Sequence, residues 1–283
     1  MYAELHCHSN YSFQEGASSV EDLLVRAKEL GHKALALTDH DNLCGAMHFA
    51  QVASTLGMQA ITGAEVTFKD GSHLTFLAET RQGYRNLCNL LSYSHISSDR
   101  RDPRLDPIYI PELAQGLILL TGCRKGPLSS LLASQSSKNQ REAQETLEQY
   151  LEWFGPENVF VELQQNLVQG DIQRNRRLIQ LAHSLGVGVV ATNNVHYHAL
   201  ERHRLQDALV AIQHNRSLEE THPERRPSDQ FYLKSPQEMA ALFQECPEAI
   251  ENTVKIADRC AFDLTKDLNY QFPDYPVPEG FTP

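Results

Sequence analysis

Apolar and polar residues recur with two different periods along this chain. Short aliphatic and β-branched runs at 2–7, 34–38, 59–68, 74–78, 117–121, 158–163 and 187–192 have the length and composition of strands. Between them, amphipathic stretches at 19–30, 43–56, 83–95, 140–153 and 172–185 predict helices. Their ends carry recognisable signals: Ser18 or Ser19 stands before Val20-Glu21-Asp22, and Gly31, Gly57 and Gly186 each follow a last helical residue. Repeated βα units imply a mostly parallel sheet, and Asp70-Gly71, set between two apolar runs, is a hairpin signal that makes one pair antiparallel. Seven strands with one irregular pair predict an α/β fold of distorted seven-stranded (βα)7 barrel type.

Beyond Tyr197 the pattern changes to helix and loop. A helix is predicted over 200–213, a polar loop with Pro223 and Pro227 over 214–229, and two short helices over 235–243 and 247–260 with Pro in their first turns. Residues 271–283 form a Pro-rich run without a capping element and read as cut from something longer. The expected division is a barrel over 1–215 and a C-terminal helical extension with its linker over 216–283.

Composition narrows the function classes. With 283 residues, 41% of them hydrophobic, the chain is long enough for a sizeable core, and disorder or a fibrous repeat is excluded. The longest apolar runs, 116–121 and 185–191, are far too short to cross a bilayer, and Met1 leads into a strand-like segment rather than a basic, apolar signal. No membrane association and a cytoplasmic location are therefore expected. Six scattered cysteines without a CxxC pair suit free thiols in a reducing compartment. A formal charge of −11 argues against gripping nucleic acid by bulk charge, so any such contact must be local or metal-mediated.

Thirteen histidines are the compositional oddity. His6-Cys7-His8 ends the first predicted strand, where alternation sends both imidazoles to one side. Asn194-Val195-His196 repeats that spacing after the last strand, and Thr38-Asp39-His40-Asp41 ends the second. Glu65 falls within the third strand, where a buried carboxylate needs a partner, and Cys123 follows the fifth. In a parallel barrel the C-terminal strand ends converge on one mouth, so this set describes a polynuclear metal cluster. A lone helical histidine such as His32, His48, His95 or His183 is ordinarily a surface or satisfied core residue, and Cys123 alone would be a small buried hydrophobe. The repeated placement at strand ends is what lifts the cluster above those plain alternatives.

At these residues the sequence resembles the PHP (polymerase and histidinol phosphatase) family. The opening His-x-His, Thr38-Asp39-His40-Asp41, Gly63-Ala64-Glu65, the stretch from His73, Leu120-Thr121-Gly122-Cys123 and Thr192-Asn193-Asn194-Val195-His196 occur in family order. The runs at 11–17, 83–87, 231–239 and 247–260 resemble, more narrowly, the N-terminal PHP domain of bacterial C-family DNA polymerase III alpha subunits, closest to the error-prone branch. The likeness spans essentially the whole chain, and the polymerase palm that follows in such proteins has no counterpart in it.

Carried over by position, the resemblance implies a nine-ligand site of His6, His8, Glu15, His40, Glu65, His73, Cys123, Asn194 and His196. It would hold two or three divalent ions, with Zn²⁺, Mn²⁺ and Fe²⁺ all suited to such donors. Glu15 departs from the usual Asp or His, and Asn194 from the usual Asp; a neutral amide oxygen binds a cation more weakly. His73 precedes its predicted strand, and the strand pattern does not by itself bring it to the mouth. The implied activity is metal-assisted phosphoester hydrolysis, with His8, Glu65 and His196 as catalytic candidates, Glu65 bridging, and a 3′ end or single strand of DNA as substrate. The implied partner is the remainder of a polymerase chain. Two alternatives stand beside it: a non-catalytic structural module of the polymerase, and a free-standing phosphatase of histidinol-phosphatase type.

Overall fold

Strands buried on both faces need helices on either side, and the chain alternates accordingly. The computed structural model describes residues 1–99, 102–134 and 136–268. Its elements run α1 Val20–Glu29, β1 Ala34–Leu37, α2 Ala46–Leu56, β2 Gln59–Thr67, β3 His73–Ala78, α3 Arg81–Ile96, α4 Ile110–Leu113, β4 Leu117–Leu120 and α5 Pro127–Leu131. There follow α6 Ser137–Phe154, β5 Val159–Gln164, α7 Asp171–Ser184, β6 Gly188–Thr192, α8 His203–His214, α9 Pro236–Leu242 and α10 Pro247–Arg259. The strands form one curled sheet in chain order, β1 to β6.

The sheet has six strands among the described residues where the sequence predicts seven. Residues 2–7 make only isolated bridges, Glu4 with Leu35 on one side and Cys7 with Val195 on the other. The physical reason is that side chains take backbone groups a ladder would need. Ala3 N–H goes to Thr253 Oγ1, His6 N–H to Glu4 Oε1 and Cys7 N–H to Thr38 Oγ1. The segment nevertheless joins β1 to the chain beyond β6: Ala36 N–H reaches Glu4 O, and His8 N–H reaches Val195 O at 2.8 Å.

Two strand pairs are antiparallel rather than one. β3 runs against both β2 and β4, while β1–β2, β4–β5 and β5–β6 are parallel. The Asp70-Gly71 turn makes the first reversal, with Gly71 at φ 83°. Reversing one strand sets its N-terminal end beside the C-terminal ends of its neighbours. His73, the first residue of β3, thereby reaches the mouth that strand alternation alone did not assign to it.

Inside the sheet, Leu5, Ala36, Ile61, Leu77, Ile118 and Val190 pack together, and α10 contributes Ile256 and Ala257, with Cys260 just past its end, to that cluster. The outer faces are covered by α1 and α2 against β1 and by α3, α6 and α7 farther round. Ser19 caps α1 in a reciprocal box with Asp22, and Ser235 does the same for α9 with Glu238. The predicted Pro-rich run at 271–283 lies outside the described residues.

Candidate metal centre

Glu65 is buried in β2, a strand otherwise apolar around it, and its carboxylate faces four imidazoles. Oε1 lies 3.4 Å from His6 Nε2 and 3.3 Å from His73 Nδ1. Oε2 lies 3.5 Å from His8 Nε2 and 3.2 Å from His40 Nδ1. Two groups with the spacing of metal ligands result, His6–His8–Glu65 and His40–Glu65–His73, and the carboxylate is common to both. The other sequence-predicted residues surround this centre. His196 stacks on His8 with ring centroids 4.4 Å apart, Cys123 Sγ is 4.0 Å from His73 Nδ1, and Glu15 Oε2 is 3.6 Å from His40 Nδ1. Asn194 lines one cavity with Glu15 and Cys123. All nine predicted residues are thus brought to one place, with Glu15 the least enclosed.

Backbone geometry explains two of these placements. Gly122 sits at φ +86°, and a Cβ there would lie 2.1 Å from the His73 carbonyl oxygen, so only glycine lets the Cys123 loop close against β3. β6 ends at Thr192, so strand alternation does not place Asn194 and His196, contrary to the sequence reading. Asn194 instead adopts φ +47°, a left-handed conformation that Asn tolerates better than most residues.

The protonation states follow from burial and charge. Burial favours a neutral Glu65, but His73, His6 and His40 outweigh it and hold the carboxyl well below its ordinary range. Burial likewise opposes a charged His6, yet Glu162 and Glu65 raise it to about 10; His40, beside Glu65 and Glu15, stands at about 9. His8 and His196 go the other way, held neutral by burial and, among other neighbouring cations, Arg226. Burial and Glu65 push the Cys123 thiol well up.

Buried donors and acceptors are normally paired. Here His6 Nε2, His8 Nε2, His40 Nδ1, His196 Nε2, Glu65 Oε1 and Asn194 Oδ1 are all buried without a hydrogen-bond partner. Five orphaned nitrogen and oxygen atoms beside a carboxylate whose own Oε1 is orphaned have the donor chemistry of a divalent-cation site, and the residues present fit such a group once the imidazoles give up their protons to it.

Comparison with known proteins gives this geometry a family. A family model described as "PHP domain" matches residues 4–166. The chain belongs to the PHP domain family. Its curated relatives include an error-prone DNA polymerase of Symbiobacterium thermophilum, 36% identical over 100% of this chain and 27% of that protein. A DNA polymerase III subunit alpha of Treponema pallidum is 38% identical over 99% of this chain and 25% of that protein. The PHP chain therefore spans about a quarter of the length of these relatives. Among solved structures, a lesion-specific endonuclease of Pyrococcus furiosus overlays with a TM-score of 0.45 at 18% identity, covering 69% of this chain and 48% of that one. That likeness is too remote to bear on function.

Several residues around the PHP cluster escaped the sequence analysis. Glu162 in β5 is buried and receives His6 Nδ1 at 2.6 Å, with Thr192 Oγ1 and Gln164 Nε2 on the same oxygen. Its signal was present, a lone carboxylate in the apolar run Val159-Phe160-Val161-Glu162-Leu163, the same argument that singled out Glu65. Arg226, on the loop after α8, lies 3.4 Å from His196 Nδ1 and 3.8 Å from Glu15 Oε2. Nothing local in the sequence marks Arg226, because the loop is brought back to the mouth only by tertiary contacts such as His196 N–H to Phe231 O.

Proposed function

We propose that this PHP domain is a metal-dependent phosphoesterase of an error-prone-type bacterial DNA polymerase, acting in the cytoplasm on a DNA 3′ end or single strand. The observation that carries the reading is that Glu65 is shared by two groups with ligand spacing, His6–His8–Glu65 and His40–Glu65–His73, in which His6 Nε2, His8 Nε2 and His40 Nδ1 are buried without a hydrogen-bond partner. His6, His8, Glu15, His40, Glu65, His73, Cys123, Asn194 and His196 would hold two or three divalent ions of the zinc, manganese or iron kind. Such ions supply Lewis acidity, making water nucleophilic near ~pH 7 and offsetting charge on phosphoryl oxygens.

The chain's own residues divide the remaining work. Glu65 spans both ligand groups and so sets their separation, while the stacked His8 and His196 rings form a shared wall. Loss of His8, Glu65 or His196 is expected to stop hydrolysis. Arg226, Arg225 and Lys125 line a cavity of about 520 Å³ that also touches Glu15, Cys123 and Asn194, which suits a phosphate chain. A second cavity of about 800 Å³, which Glu15 also lines, is bounded by His40, Tyr11 and Phe13, the last 79% exposed and available for a base to stack on. Within this reading the barrel comprises 1–215, and 216–283 leads towards the rest of the polymerase.

A second reading, a structural PHP module that binds metal without hydrolysis, is favoured by one residue. Asn194 offers a neutral oxygen where an anionic one would bind a cation more tightly. Metal content of the purified chain, with hydrolysis of 3′-labelled single-stranded DNA and of p-nitrophenyl phosphate measured in parallel, tests both. Bound metal with hydrolysis that His8→Ala abolishes supports the enzyme, bound metal without hydrolysis supports the module, and no bound metal overturns both.

A further inference from the structure

We propose that Asp41, acting through Thr67, is a positioning residue that fixes which ring nitrogen of His40 faces Glu65, and so governs cation affinity at the His40–Glu65–His73 group. The proposal rests on that group being a metal position. A neutral imidazole has one N–H and one lone pair, and it can ligate only with the lone pair. What the distal nitrogen meets therefore decides whether the proximal one is usable.

The proton positions around His40 can be worked out from the hydrogen bonds. Asp41 Oδ1 accepts Thr67 N–H at 2.7 Å, and Asp41 Oδ2 accepts Thr67 Oγ1–H at 2.7 Å. The one hydroxyl proton of Thr67 is thereby committed to Asp41. His40 Nε2, 2.6 Å from Thr67 Oγ1 and 3.3 Å from Asp41 Oδ2, faces only acceptors and must carry the hydrogen. In the neutral ring, the form that can take a cation, it is therefore Nδ1 that holds the lone pair, buried and 3.2 Å from Glu65 Oε2.

His8 is held by the same device. Ser12 Oγ donates to Asp39 Oδ1 at 2.6 Å, so it must accept from His8 Nδ1 at 3.2 Å, which leaves Nε2 facing Glu65. His6 dispenses with the hydroxyl and donates directly to Glu162. The His40 chain is the one that can be reversed by a single atom. In Asp41→Asn, Oδ1 still accepts Thr67 N–H, so the amide nitrogen must replace Oδ2 and donate to Thr67 Oγ1. The hydroxyl proton then turns to His40 Nε2, the ring hydrogen moves to Nδ1, and the inward lone pair is lost. Asp41 sits at φ +53°, a conformation open to Asn, so the exchange adds no backbone strain.

The test uses the full 283-residue chain with zinc as probe, titrated against a chromogenic chelator, and long-range ¹H–¹⁵N spectra of the imidazoles in the zinc-loaded protein. Wild type is expected to show the His40 hydrogen on Nε2. Asp41→Asn is expected to weaken one zinc equivalent by about 10–100-fold. Thr67→Val should weaken the same equivalent, and Thr67→Ser, which keeps the hydroxyl, should retain wild-type affinity. If Asp41→Asn fails to fold, the Thr67→Val and Thr67→Ser pair carries the test. Wild type that takes up no zinc overturns the metal-centre reading and this proposal with it. Wild type that binds zinc while Asp41→Asn and Thr67→Val bind it equally tightly overturns the relay alone, as does a His40 hydrogen on Nδ1.

Discussion

Asn194 is 2% exposed, its Oδ1 has no hydrogen-bond partner, and its backbone is left-handed. Asp shares that backbone tolerance, so Asn194→Asp changes charge with little change of shape. An anionic oxygen attracts a dication more strongly, and zinc affinity of the variant is expected to rise on the order of tenfold, about 1.4 kcal/mol. Unchanged affinity by calorimetry would mean Asn194 is not a ligand. Protonation offers a second residue-scale check. In the metal-free chain His6 and His40 keep their protons up to about pH 10 and pH 9, above the ~6.5 of an unfolded histidine. Both folded values are raised, so the stability they contribute is full below ~pH 6.5 and is lost as pH rises through 9 to 10. The melting temperature of chelated protein should fall over that window, while zinc affinity climbs because fewer protons must be displaced. Calorimetry in buffers of different ionisation enthalpy should detect protons released on zinc binding at pH 7.5, and the absence of release would contradict these states.

At the scale of elements, the reversed β3 and the Gly122 turn do together what neither does alone. β3 delivers His73 to the mouth, and the turn closes Cys123 onto it. Gly122→Ala meets both a positive φ and a Cβ contact of 2.1 Å with backbone, so a loss of several kcal/mol is ruled in, roughly 1–3 from the φ alone. Zinc affinity should fall with it, since the Cys123–His73 approach must open. Ser19→Ala provides the contrast. It removes the hydroxyl of the α1 capping box, costs about 1 kcal/mol, and lies away from the cluster, so zinc affinity should not move. Chemical denaturation and zinc titration on the same two variants separate an element that only stabilises from one that also builds the site.

For the whole molecule, the proposed ligands span residues 6 to 196 in sequence, and the cluster brings together the N-terminal segment, β2, β3 and the chain beyond β6. A cation at about 100 times its dissociation constant adds about 2.7 kcal/mol to folding stability. Removing it from a domain of this size should lower the melting temperature by about 5–10 °C. Scanning calorimetry before and after exhaustive chelation, with elemental analysis of both samples, measures this directly. An identical midpoint would mean that no tightly held cation links these segments.

Six of the seven predicted strands and most helices were legible in the sequence, because periodicity is a local property of the chain. Strand-end placement pointed to His6, His8, His40, Glu65, Cys123, Asn194 and His196, while Glu15 and His73 entered only through the family resemblance. Glu65 could be singled out as a carboxylate in an apolar strand, and Glu162 could have been by the same reasoning. Other features depended on contacts between distant segments. Residues 2–7 form bridges and not a strand because Thr38, Thr253 and Glu4 take their backbone hydrogens. His73 is a mouth residue because β3 is reversed, and Arg226 is a rim residue because the loop after α8 folds back. Ring tautomers were equally out of reach: they are set by Ser12–Asp39 and Thr67–Asp41 pairs that are 27 and 26 residues apart. Residue chemistry is written in the order of the chain, whereas the direction of a lone pair is decided only by what folding places behind it.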